Sequence, residues 1–283
     1  MKLTMLGTGN ATVTKCYNTC FLLTEENIES TENAEYAEND NVGSRTLLVD
    51  GGGGNEILSR LEKAGVQLSD LHDIFVTHKH IDHLLGIIWL IRMVCQQMGQ
   101  GKYQGELRIY AHEEVTALLR QMADQLLTKK QTKYIDDRLH LITVEDGEEK
   151  ILLGHKVTFF DIHSTKAKQF GFTMELNAGE KLTCCGDEPC SESCYEYARG
   201  SKWLLHEAFC LDEQKDIFHP YEKHHSTVKD ACRLAEELGV QNLVLYHTED
   251  KDMLHRKERY TREGQPFFTG NLYVPEDMES LVL

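Results

Sequence analysis

Positive charge is what this chain has least of. It sets 30 Lys and Arg against 46 Asp and Glu, a formal net charge of −16. So acidic a surface repels polyanions and excludes the broad basic face by which proteins usually grip long nucleic acids. No apolar stretch reaches bilayer length and no leader pattern opens the chain, which predicts no membrane span. Nine cysteines, an odd number, then predict reduced thiols and a cytoplasmic location. Cys184, Cys185, Cys190 and Cys194 crowd one stretch but lack a Cys-x-x-Cys knuckle, so they read as small core residues rather than a zinc site. The run Asp50-Gly51-Gly52-Gly53-Gly54 lacks the Lys-Ser/Thr ending of a phosphate-binding loop and reads as a tight turn.

What is present is enough for one layered α/β domain over residues 1–283, with halves of about 1–150 and 151–283 and no second module. Apolar runs predict strands near 2–7, 20–24, 45–50, 73–77 and 107–111, then near 156–162, 170–176, 181–185, 202–206 and 242–247. Helices are expected near 55–64, 83–98, 113–128, 191–199 and 228–238, several closed by glycines such as Gly65, Gly200 and Gly239. Residues 25–40 carry seven acidic and no basic side chains and predict a flexible hairpin tip. Lys251, Arg256, Lys257, Arg259 and Arg262 form the one local basic strip; Asp250, Asp252 and Glu258 dilute it, and it reads as a solvated loop.

The densest chemistry lies in Thr77-His78-Lys79-His80-Ile81-Asp82-His83, between a strand ending at Ile74-Phe75-Val76 and an apolar helix from Leu84. His78 and His80 share a face of extended chain, while Asp82 and His83 open the helix and can address a second centre. Imidazoles with carboxylates suit a hydrolytic zinc site. Three further ligand-type residues end apolar runs: His163, Asp187 and His247.

This His-x-His-x-Asp-His pattern, followed in order by His163, Asp187 and His247, resembles the signature of the metallo-β-lactamase superfamily. Leu204-Leu205-His206-Glu207-Ala208 and His225-Ser226-Thr227 resemble the His-Glu-Ala-Thr and His-Ser-Thr stretches of its ribonuclease Z branch, and Leu6-Gly7-Thr8-Gly9-Asn10-Ala11 resembles that branch's opening turn. The resemblance implies a four-layer αββα sandwich of two pseudo-symmetric halves. It implies two Zn²⁺ ions, with Mn²⁺ or iron as alternatives: one on His78, His80 and His163, one on Asp82, His83 and His247, bridged by Asp187. It further implies a hydroxide held between the ions that attacks a phosphodiester, with Asp82 orienting it, and a homodimer. His225 is the candidate acid for the leaving alkoxide, and Glu207 the carboxylate that fixes its tautomer, through His225 itself or through His206.

Three departures bear on the substrate. Only 24 residues separate His163 from Asp187, too few for the branch's transfer-RNA-gripping arm, so no such arm is expected. Threonines of that branch are replaced by Glu188 and Phe209. The expected partner is therefore a phosphodiester, with RNA and transfer-RNA 3′-end processing as one case. Hydrolysis of a lactam, lactone or thioester is the alternative activity, and a metal-loaded sensor without turnover a third reading.

Overall fold

The computed structural model describes residues 1–25, 46–177 and 179–283. Residues 26–40 of the expected acidic hairpin tip lie outside this set.

The apolar runs become strands buried on both faces, which is why they read as near-continuous rather than alternating. The first sheet is built from β1 (Lys2–Gly7), β2 (Cys20–Thr24), β3 (Thr46–Val49), β4 (Asp73–Phe75), β5 (Leu107–Ala111) and β6 (Leu139–Thr143). The second holds β7 (Glu149–Leu152), β8 (His155–Asp161), β9 (Phe170–Glu175), β10 (Lys181–Cys184), β11 (Trp203–Glu207), β12 (Asn242–Tyr246) and β13 (Asn271–Tyr273). β14 (Ser280–Val282) returns from the C-terminal half and pairs antiparallel with β1, completing two seven-stranded sheets.

Alternate side chains feed different cores. Leu3, Met5, Phe21 and Val49 point between the sheets and meet Phe159, Phe172, Met174 and Val244. Leu6, Leu22, Leu48 and Ile74 point outward, where the helices Glu56–Lys63, Ile81–Gly99 and Glu113–Leu126 cover them. On the far side Leu204, Leu243 and Leu245 pack under the helix Val228–Glu237. The order helix, sheet, sheet, helix is the αββα sandwich. Among the described residues no helix is long and apolar enough to cross a membrane, and all nine cysteines are free thiols.

Strands β3 to β6 run parallel, as do β10 to β13, so their carboxyl ends open along one edge. That edge receives the chemistry, as open α/β sheets dictate. The glycine turn after β3 docks there against the helix Ile81–Gly99: Gly51 N–H donates to His83 O at 2.8 Å and Gly86 N–H to Gly52 O at 2.9 Å. A Cβ on Gly86 would fall 1.8 Å from Gly51 O, so only glycine permits the approach.

The basic strip is not a solvated loop. Arg256 to Gly264 form a helix, and Arg256 is buried. Its guanidinium donates to Thr8 Oγ1 at 2.9 Å, Thr248 Oγ1 at 2.8 Å and the Pro275 carbonyl at 2.7 Å, tying three segments together. Lys257 and Arg259 are spent on Glu279, Glu213 and Asp252. Replacing Arg256 by Ala strands three buried acceptors and opens a cavity. The expected cost is about 2–4 kcal/mol in a denaturant titration, with Arg256→Lys recovering only part because one ammonium cannot span the three acceptors.

Candidate metal centre

His78 leaves β4 in extended chain, and His80 stands at φ −63°, ψ 148° just before the helix begins, so both rings turn to the same side. His78 Nε2 lies 2.8 Å from His80 Nδ1. Asp82 and His83 occupy the helix's first turn, where its dipole favours an anion. Asp187 follows β10, reached over Gly186 at φ 75°, and His247 follows β12 at φ 58°.

Two groups of ligand-type atoms result, each gathered within 4.8 Å: His78, His80 and Asp187, and Asp82, His83 and His247. One oxygen joins them. Asp187 Oδ2 stands 3.5 Å from His78 Nε2, 3.6 Å from His83 Nε2 and 3.5 Å from His247 Nε2. Asp82 Oδ2 faces His83 Nε2 at 3.3 Å and His247 Nε2 at 3.5 Å. Yet Asp82 Oδ2, His83 Nε2 and both ring nitrogens of His247 are buried without a well-aligned hydrogen bond. Buried polar atoms are rarely orphaned, and a set this dense fits cations as the missing partner.

Protonation suits that role. Burial works against the charge of Asp82 and Asp187, but the imidazoles around them dominate and hold both carboxyls far below their ordinary range. Burial also leads in pulling His247 and His80 below the usual histidine value, towards the neutral form that ligates. His83 is pushed up despite burial, by Asp82 and Asp50.

Asp50 is the residue that sequence reasoning left inside a turn. Its carboxylate accepts Thr77 N–H and Thr77 Oγ1–H, each at 2.8 Å, and His83 Nδ1–H at 2.7 Å. His83 is thus fixed with Nε2 facing the cluster, the usual arrangement behind a metal-binding imidazole. Gln169 was missed as well: buried, it donates Nε2–H to Asp187 Oδ1 at 2.7 Å, leaving Oδ2 to the histidines.

His163 stands apart from both groups. It is exposed, in a left-handed turn at φ 57°, with its backbone N–H on Asp161 Oδ1 at 2.7 Å. The residue of this loop that reaches Asp187 is Gln169, and Ser164 is held away by Glu188 Oε1 at 2.7 Å.

His225 and Glu207 are brought together. His225 Nδ1 lies 3.6 Å from Glu207 Oε2, while Glu207 Oε1 accepts Ser226 N–H at 2.6 Å. His206 is occupied elsewhere: Nδ1 donates to Glu207 O at 2.6 Å and Nε2 accepts Cys190 N–H at 3.1 Å, which steadies the loop after Asp187. The His225 ring stacks on Phe209 at 4.9 Å and meets His247 at 5.1 Å. Thr227 caps the following helix, its hydroxyl oxygen accepting Asp230 N–H. Asn10, His80, Ile81, Asp82, Asp187 and His225 all line one cavity of about 640 Å³.

Residues 45–248 match the family model described as β-lactamase superfamily domain, and the chain belongs to that family. Its relatives place it on the ribonuclease Z-like branch. It is 26% identical to ribonuclease Z of Archaeoglobus fulgidus over 92% of this chain and 96% of that protein, and 25% identical to ribonuclease Z of Brevibacillus brevis over 83% and 86%. In fold it is similar to the metallo-β-lactamase fold protein YhfI of Bacillus subtilis (TM-score 0.75, 17% identity, 99% and 98% of the two chains). It is also similar to the short form of human tRNase Z (TM-score 0.69, 19% identity, 100% and 99%).

Asp50→Asn keeps the shape but weakens the grip on His83 Nδ1–H. Metal affinity should fall about 10–100-fold, measured by chelator competition, and thermal unfolding without metal should also move down, since one amide oxygen cannot accept all three bonds.

Proposed function

We propose that this chain is a metal-dependent phosphodiesterase of the ribonuclease Z type. The observation that carries the reading is the shared Asp187 oxygen between two ligand groups, with a histidine–glutamate pair on the same cavity wall. In this reading His78, His80 and Asp187 hold one divalent cation, and Asp82, His83, His247 and Asp187 a second. His163 is a further proposed ligand, on the strength of the family resemblance. Two Zn²⁺ ions, or Mn²⁺ or iron, would make a water nucleophilic near neutral pH and draw in an anionic phosphoryl group.

The chain's own residues complete the reaction. Asp82 and Asp187, both held ionised, orient the nucleophile. His225 supplies the proton the departing alkoxide needs. Burial opposes charge on His225, but the Glu207 carboxylate outweighs it and leaves the pKa above the ordinary histidine value. The acid form then persists to higher pH. That pairing also weighs against the lactam, lactone or thioester alternative, which has less need of a separate group kept protonated for the leaving oxygen.

RNA is proposed as one substrate, since the relatives named above are ribonucleases Z. The interval without an arm and the net charge of −16 weigh towards short ligands. The proposed location is the cytoplasm and the proposed assembly a homodimer.

Chelation should abolish activity, and Zn²⁺ or Mn²⁺ should restore it. Incubating the zinc-loaded protein with a precursor transfer RNA and with an aryl phosphodiester tests the reading: hydrolysis of neither overturns it, and a single cut at the acceptor-stem base makes RNA the substrate. His225→Ala should lower kcat on substrates with poor leaving groups by about 10²–10⁴-fold at unchanged metal content. The rate of the native protein should fall as pH rises through the raised His225 pKa. Glu207→Gln removes what raises it and leaves burial, which lowers it, so the alkaline limb of kcat should move to lower pH.

A further inference from the structure

Beyond the ligand groups, the cavity is lined by Lys79, Lys166 and Lys223, and among its described lining residues the only carboxylates are Asp82 and Asp187. In a chain of net charge −16 this is a local reversal of sign. Lys79 is committed to Glu114 at 2.7 Å. The other two stand on loops that are tied together. Thr165 Oγ1 lies 3.1 Å from His224 Nδ1, joining the loop after β8 to the loop before the helix Val228–Glu237. Lys166 and Lys223 are the chain neighbours of those two residues.

Neither lysine is neutralised tightly. Lys166 Nζ is 3.9 Å from Glu188 Oε1, an oxygen already taken by the Ser164 hydroxyl. Lys223 Nζ donates to the Phe218 carbonyl at 2.7 Å and lies 5.0 Å from the Phe209 ring centre; among the described residues it has no carboxylate partner. Both lysines line the cavity that His225 also lines. Two under-compensated cations therefore share the wall that carries the proton donor, the side on which the leaving group departs.

We propose that this wall is a second anion subsite, and that the preferred substrate is a compact phosphodiester whose leaving half carries a further phosphate, bound by Lys166 and Lys223. The proposal rests on the phosphodiesterase reading above. One diester monoanion is already balanced by the cations that the ligand groups would hold, so it does not account for two more. A cavity of about 640 Å³ lies within the span that encloses small ligands, about 300–1,000 Å³, and suits one or two nucleotides. In the reaction water adds to phosphorus as hydroxide and releases a proton to solvent, the bond from phosphorus to the leaving oxygen breaks with its electron pair, and His225 donates a proton to that oxygen and is reprotonated from solvent. The products are a phosphomonoester and an alcohol bearing the second phosphate.

The test compares UpU, pUpU and UpUp as substrates of the metal-loaded protein, the terminal phosphate being absent, on the 5′ half or on the 3′ half. The dinucleotide whose extra phosphate ends up on the alcohol product should exceed UpU in kcat/KM by about tenfold, an advantage worth about 1.4 kcal/mol, and a preference for the other one instead overturns the proposal. Exchanging Lys166 and Lys223 together for methionine should bring that ratio to near unity, and exchanging both for arginine should keep it. Equal kcat/KM for the three on the native protein, or a ratio that survives the methionine pair, overturns the subsite. A binding arm separates this from failure of the activity itself. Uridine 3′,5′-bisphosphate should bind more tightly than uridine monophosphate in calorimetry, and the methionine pair should erase that difference. Cleavage of none of the three, with the bisphosphate preference intact, removes the phosphodiesterase reading and leaves a phosphate-binding wall; loss of both removes the proposal entirely.

Discussion

The site hangs on one buried carboxylate. Asp50 sits at the end of β3 in a left-handed conformation, φ 59°, and accepts three hydrogen bonds, two from Thr77 beyond β4 and one from His83 in the following helix. Those bonds lock the exits of two adjacent parallel strands to a helix N-terminus. Thr77 in turn lies 2.9 Å from His78 Nδ1, so one carboxylate orients a histidine of each ligand group. An uncompensated carboxylate at this depth would be costly, which makes the arrangement all-or-none rather than adjustable. Gly51 and Gly86 serve the same end, since a Cβ on either would collide with the other's segment and hold the helix away.

A second constraint is charge. Asp82, Asp187, Asp50 and the histidines are packed into a volume nearly closed to water, and buried ionised groups are tolerated when they are paired or bound to metal. The acidic side chains pull protons on to His83 while burial strips them from His80 and His247. Such a cluster is a compromise without cations. With them, each orphaned atom gains a partner, and folding and metal binding become linked.

The ligand-type residues were legible because the fold puts them at strand ends: His78 to His83, Asp187 and His247 each close an apolar run that the sequence displays openly. The layers followed from the resemblance, since strands buried on both faces carry no period that assigns them to sheets. The residues that sequence reading missed act across long separations. Asp50 serves a histidine 33 positions on, Gln169 a carboxylate 18 positions on, and Arg256 reaches back 248 positions to Thr8. No local pattern marks such pairings. Strands β6, β7, β13 and β14 escaped for a related reason: they are short, partly exposed edge strands whose existence depends on a neighbour to pair with.

The two departures from the branch pattern acquire a physical sense together. Glu188, next to Asp187, takes the Ser164 hydroxyl and leaves Lys166 loosely compensated, so it shapes the loop that faces the cavity. Phe209, two residues past Glu207, lies flat against His225 at 16° and carries Lys223 over its own ring. A threonine at 209 would have no ring to offer either His225 or Lys223. Phe209 and His247 confine the His225 ring, and Glu207 faces its Nδ1, so Nε2 is the nitrogen left to meet a substrate. A ring so held, with its proton stabilised by a buried carboxylate, stays protonated to higher pH than a free histidine, the form the proposed general acid needs. The residues around the proposed acid also bear on the lysines beside it, Phe209 through Lys223 and Glu188 through Lys166, so the proposed proton donor and the proposed anion subsite share one cavity.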